Sequence, residues 1–158
     1  MIWRMDTPGA DGAGVGLRPS DWLLLLFDGA ARPLDRVRIQ KSLFLFAERS
    51  KAPTSEKYAF VPYHYGPFSF EIYPDLDRLV AQGLLRLEVE TVSTSPRYAL
   101  TATGAASVEE LRAAAPSERL DLLRSLRDWV TERSFRNLLN DLYRLYPLYA
   151  VNSIFQRP

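Results

Sequence analysis

The sequence predicts an α+β fold that is mostly α, and three observations on the order of its elements carry that prediction. Three stretches with helical spacing of apolar residues fill the first half of the chain. Two runs that alternate apolar and polar residues follow them directly, and after those the composition turns to helix formers. Helix, helix, helix, hairpin is the order of a winged helix-turn-helix, here with a C-terminal helical extension. Residues 1–19 read as a mobile N-terminal arm and 20–104 as the winged-helix core. Residues 105–158 read as the extension, either part of the same compact domain or a dimerisation layer.

Each element has a local cause. Asp21 is placed to cap a first helix over 21–30, which "DGAARP" ends through Gly29 and Pro33. Asp35 can cap a second, 36–50, and a polar loop then leads to "FVPYHYGPFS" at 60–69. Ser69 is expected to cap a third helix that stops at Gly83. Pro74 fits its first regular position, with 69–73 as a tighter lead-in turn. "LLRLEVETV" (84–92) and "RYALTAT" (97–103) form a two-stranded hairpin around "STSP". Helices are expected over 103–114, 117–133 and 134–146, with breaks at Pro116 and Pro147.

Composition narrows the function classes. The 158 residues are 47% apolar and 25% charged, with no cysteine, so disulfides and thiolate metal sites are excluded. The longest apolar run, "WLLLLF" at 22–27, is far shorter than the roughly 20 residues a bilayer span needs. The first 20 residues lack the apolar stretch of a secretory signal. A cytoplasmic protein with no membrane contact is the expectation. The net charge is +1, so no global field draws the chain to nucleic acid, but residues 31–57 hold seven bases and three acids. Residues 58–83 hold one base and three acids.

Five pieces carry a resemblance to a known family: "RIQKSLFLF" at 38–46, "PYHYGPFS" at 62–69, "DLDRLVAQGLL" at 75–85, "YALTATG" at 98–104 and "YPLYAVNS" at 146–153. Together they make the span from Arg36 to Ser153 resemble the YwgA-like family, which is distantly similar to the SocA/Panacea antitoxin-type domain. The resemblance implies a winged-helix-like fold with relatives in toxin–antitoxin and defence contexts. It implies no catalytic residue set. Pro74 and the glycine-rich arm depart from the family pattern.

Chemistry-bearing constellations are sparse. His64 is the sole histidine, and neither a Ser-His-Asp set nor a metal-ligand cluster can be assembled around it. "GADGAGVG" lacks the strand–turn–helix context of a phosphate loop. The expectation is a non-catalytic protein without metal or cofactor. In the 60–69 stretch, Pro62, Gly66 and Pro67 make a rigid turn, with Phe60, Tyr63, Tyr65 and Phe68 packed between the second and third helices. Alternatively Tyr63, His64 or Tyr65 is exposed and stacks on a base or meets a partner. Gln40 falls in the middle of an apolar arc that includes Ile39, Leu43 and Phe46. Its amide should therefore hydrogen-bond to backbone between Val61 and Pro67.

Two functions follow from the topology. The first is a DNA-binding regulator on double-stranded DNA, with Arg36, Arg38, Lys41, Arg49, Ser69, Arg78, Arg86 and Arg97 as candidate contacts. Charge limits it. The third helix offers Glu71, Asp75, Arg78 and Gln82 to solvent, and its acids oppose phosphate. Arg38, Lys41 and Arg49 on the second helix suit phosphates better. The alternative is a protein-interaction module on the same fold, an antitoxin-like neutraliser or defence accessory bound to a partner protein. A homodimer is expected because 120–143 hold more large apolar residues than one covering layer needs, Leu123, Trp129 and Leu139 among them.

Overall fold

In the computed structural model, which describes residues 16–89 and 95–155, the chain is α+β and mostly helical. The expected arm lies outside these residues as far as 15, and so do residues 90–94, which hold the end of the strand expected over 84–92 and the first half of the "STSP" turn. Helix α1 spans Pro19–Leu25, with Arg18 as N-cap and Pro19 where its fixed φ suits the first turn. Asp21 closes this end from inside the helix, accepting from the Arg18 amide at 2.8 Å. The cap expected at Asp21 therefore lies three residues earlier. The run Trp22–Phe27 is buried throughout. Its one polar atom, the Trp22 indole N–H, donates to the buried Glu56 carboxylate at 2.9 Å.

Strand β1 (Leu34–Asp35) leads straight into helix α2 (Arg36–Arg49). Asp35 caps it as expected, accepting from the Arg38 amide at 2.9 Å. Helix α2 is the centre of the molecule. Eight consecutive residues, Ile39 to Phe46, are buried, so it has no solvent face along that stretch. Ile39, Leu43 and Phe46 join a core with α1, and Phe44 and Leu45 join a second core on the other side.

The stretch 60–69 is a hairpin of its own. Strands β2 (Val61–Tyr63) and β3 (Gly66–Phe68) pair antiparallel around His64 and Tyr65. Gly66 has φ +90°, the left-handed conformation that lets a short turn enter the second strand. Helix α3 (Ile72–Ala81) starts two residues before the Pro74 start the sequence suggests, and its N-cap is Glu71, two residues after the expected Ser69. Pro74 sits in its first turn, where amides have no intrahelical acceptor, so its missing N–H leaves no gap. The helix ends in a Schellman motif. Gly83 (φ +76°) donates to the Val80 carbonyl at 3.0 Å, and Leu84 donates to Leu79 at 2.9 Å.

Strands β4 (Leu85–Glu88) and β5 (Arg97–Leu100) form the expected hairpin, Leu85 opposite Leu100 and Glu88 opposite Arg97. Strand β1 adds a third member on the far side of β5, giving the antiparallel order β1-β5-β4. Helices α4 (Ala102–Ala114), α5 (Ser117–Thr131) and α6 (Phe135–Leu145) follow, with Thr101 capping α4 and Ser134 capping α6. A short 3-10 turn, Pro147–Ala150, lies after them.

The apolar residues that suggested a dimer layer are used within one protomer. Leu120, Leu123, Leu138, Leu139, Leu142 and Tyr143 are all buried. Val130, Leu138 and Leu142 close the second core over Phe44 and Leu45. That surplus therefore carries no argument for a homodimer. No helix among the described residues is long and apolar enough to cross a membrane.

Candidate functional site

The β2–β3 hairpin is held from both edges, and the reason begins with its prolines. Pro62 stands opposite Pro67 at a pair that exchanges no ladder hydrogen bonds, so the two missing N–H groups leave no gap and the carbonyls of both prolines face outward. Side chains from neighbouring segments meet those carbonyls. Lys41 on α2 donates to the Pro67 carbonyl at 3.0 Å, and Asn152 donates to the Pro62 carbonyl at 3.2 Å. Beside them Gln40 pairs with the backbone of Ser69, and the Ile154 amide donates to the His64 carbonyl at 2.9 Å. Tyr143 on α6 donates to the Ser153 hydroxyl at 2.5 Å. Three of the sequence pieces that carry the family resemblance, 38–46, 62–69 and 146–153, thus meet around one hairpin.

The outer face of this assembly is aromatic and apolar. Tyr63 stacks on His64 with centroids 4.2 Å apart and planes within 9°. Phe68 and Phe70 follow at 5.1 and 5.2 Å from Tyr63. The row continues to Tyr73, whose ring carries the Arg36 guanidinium at 4.9 Å. On the other side Tyr65 meets Phe135, and Phe135 meets Phe155. Val61, Tyr63 and Tyr65 are exposed, Phe70 is 60% exposed, and the tail adds Leu148, Val151 and Ile154, Leu148 at 76%. Of the two placements expected for Tyr63 and Tyr65, packing between helices is therefore corrected and exposure is the one found: the hairpin lifts both to the surface. Phe60 and Phe68 are partly buried.

The basic residues proposed from the sequence do not form one stripe. Lys41 is 2% exposed, because α2 is covered on the side where a free helix would show it. Burial lowers its ammonium from the ordinary lysine value to about 7. Ser69 is wholly buried, its backbone held by Gln40. Both corrections have one cause, the packing of the hairpin onto α2.

Arg38 is bound to Asp35 at 2.7 Å and to the Arg133 carbonyl at 2.8 Å. Arg36 donates to the Tyr98 hydroxyl, Arg49 to the Tyr146 hydroxyl, and Arg86 to Glu88 and the Leu100 carbonyl. Arg78 pairs with Asp75, which also accepts from Tyr58 at 2.6 Å. Burial and that carboxylate push the Tyr58 hydroxyl well above its ordinary range. Arg97 is exposed and stands opposite Asp35 and Glu88. The exposed face of α3 carries Glu71, Asp77, Arg78 and Gln82 and is net acidic.

Sequence reasoning missed two residues of this framework. Asn152 gave no signal, since its carbonyl partner is 90 residues away. Arg127, on a helix expected from the sequence, is 4% exposed and donates to the Leu26, Asp28 and Gly29 carbonyls at the end of α1. Among the described residues no cluster of His, Asp and Glu could hold a metal ion. Compared with known proteins, the chain matches no family model and no curated protein sequence.

Proposed function

We propose that this chain is a non-catalytic protein-binding module on a winged-helix scaffold, an antitoxin-like neutraliser or defence accessory of the kind its resemblance to the YwgA-like family implies. One observation carries the reading. Large exposed side chains (Tyr63, Tyr65, Phe70, Leu148, Val151 and Ile154) are mounted on and beside a hairpin that a buried Lys41 bond fastens to α2 and that the Ile154 amide and Asn152 fasten to the tail. Exposed apolar groups gathered on one framework mark interaction surfaces, and aromatic residues are enriched there. Rigid mounting lowers the ordering cost of association. Both edges of the hairpin are occupied, so a partner meets side chains here and does not add a strand.

The test is site-specific photocrosslinking in the native host from positions 63, 70 and 151, with positions 78 and 119 as controls. The expected result is one protein captured from the three surface positions, absent from the controls and lost in Phe70→Asp. Capture that is equal from all positions, or absent from all, would end the reading.

A second reading, a winged-helix regulator of DNA, is favoured by the order of three helices followed by a hairpin. Arg36, Arg49, Arg86 and Arg97 would supply its phosphate contacts, and a homodimer would let it read two half-sites. It ranks second because Lys41 and Ser69 are inside the protein and the exposed face of α3 is acidic. Titration with duplex DNA at graded salt, together with light scattering at micromolar concentrations, separates the two. A steep salt slope that Arg97→Ala flattens would place this reading first.

A further inference from the structure

The loop between α1 and β1, the start of α2, the first residue of β5 and the second half of α5 surround an open cleft of about 550 Å³. That volume lies within the range of small-molecule sites, roughly 300–1,000 Å³. The lining divides by charge. The loop, α2 and β5 bring Arg32, Arg38 and Arg97, whereas α5 and its C-cap bring Asp128, one oxygen of which is paired with Arg127, and Glu132. Arg127, almost wholly buried, ties the end of α1 to α5 and so holds the cleft's rim in place.

Pairing leaves two of these cations free. Arg97 stands opposite Asp35 on one side and Glu88 on the other. Asp35 is committed to the α2 cap and to Arg38, and Glu88 is committed to Arg86. Among the described residues, neither Arg97 nor Arg32 has an ion pair, and nor does Glu132. Arg38 is aligned by its bonds to Asp35 and the Arg133 carbonyl before any ligand arrives.

We propose that this cleft binds a small phosphate-bearing ligand of nucleotide size, its phosphate on Arg97 and Arg32 and its N–H or O–H donors on Glu132 and Asp128. Guanidinium forks match phosphate oxygens in pairs, and free arginines at an open rim lose little on meeting one. Carboxylates in the same cleft oppose a polyanion that would run its charges along the whole length. They favour a ligand with one anionic end and one end rich in donors. Ribonucleotides have that pattern, with ribose hydroxyls and base amino groups opposite the phosphate.

Isothermal titration of the full chain with each of the four ribonucleoside 5′-monophosphates, with inorganic phosphate and with the matching nucleosides tests the proposal. At least one nucleotide should bind more tightly than phosphate or its own nucleoside. Arg97→Ala should weaken the nucleotide and phosphate about tenfold or more, as loss of a charged hydrogen bond does. Glu132→Gln should weaken the nucleotide and leave phosphate unchanged. Thermal melts of each variant confirm the fold, which the exposed positions of Arg32 and Arg97 do not support. No binding of any nucleotide at millimolar concentration would overturn the proposal, and so would binding undiminished in Arg32→Ala/Arg97→Ala. Equal affinity for phosphate and nucleotide would overturn the nucleotide-sized ligand.

Discussion

The Gln40 side chain takes both backbone hydrogen-bonding groups of Ser69: its Nε2 donates to the Ser69 carbonyl at 3.0 Å, and its Oε1 accepts from the Ser69 amide at 2.9 Å. A buried side-chain amide thus replaces a neighbouring strand beyond the end of β3. Two residues after the expected 61–67 window, the chain is fastened to α2.

Replacing Gln40 by Leu leaves a buried N–H and a buried C=O without partners. Each unpaired group costs about 1–3 kcal/mol, so a loss of roughly 2–6 kcal/mol is expected. Urea unfolding should show a lower midpoint with an unchanged slope. A midpoint equal to that of the parent would show the pairing to be dispensable.

Lys41 predicts a pH dependence with a definite sign. Its folded value of about 7 lies below its ordinary 10.5 because of burial. Between those values the unfolded chain holds a proton that the folded chain has released, so stability rises with pH across that window. Below pH 7 both states hold the proton and the burial cost is fully present. The total is on the order of 3–5 kcal/mol. Lys41→Met should be more stable than the parent at pH 6, even with the Pro67 carbonyl unpaired, and should lose the slope between pH 7 and 10. Parallel denaturation curves for the two proteins across that range would contradict this.

Gly66→Ala should loosen the hairpin. At φ +90° a side chain is strained, and the new Cβ would stand 3.0 Å from the Tyr143 ring. A cost of about 1–3 kcal/mol is expected. Hydrogen exchange should quicken most at 61–68, and a uniform change along the chain would argue against a local cause.

Arg127→Met removes the donors for three carbonyls at the end of α1. A loss of about 2–4 kcal/mol is expected, and Arg127→Lys should recover only part of it because an ammonium lacks the planar fork. Full recovery by lysine in a thermal melt would show that charge alone matters there.

The sequence by itself determined the features whose causes lie within a few residues. Asp35 caps α2, Gly83 ends α3, and alternation over 84–92 and 97–103 marks a hairpin that pairs at 85–88 and 97–100, because each depends on backbone geometry or on a partner close by. Helix boundaries after residue 100 follow from the same local rules. The mainly helical α+β composition was legible for that reason, and so was the burial of Gln40.

Only the tertiary structure decided which faces exist. Helical spacing assigned Lys41 to a solvent stripe, but the spacing of one helix says nothing about how many neighbours will cover it. Phe44 and Leu45 draw in Val130, Leu138 and Leu142 from the far end of the chain, while the hairpin covers Gln40 and Lys41. The same packing consumed the leucines that suggested a dimer. It also raised Tyr63 and Tyr65 into solvent, which decided between the packed and the exposed placements that the local reading left open. Contacts between residues some 30 to 100 positions apart gain their energy from burial shared by several segments, and no segment's own pattern records that sharing.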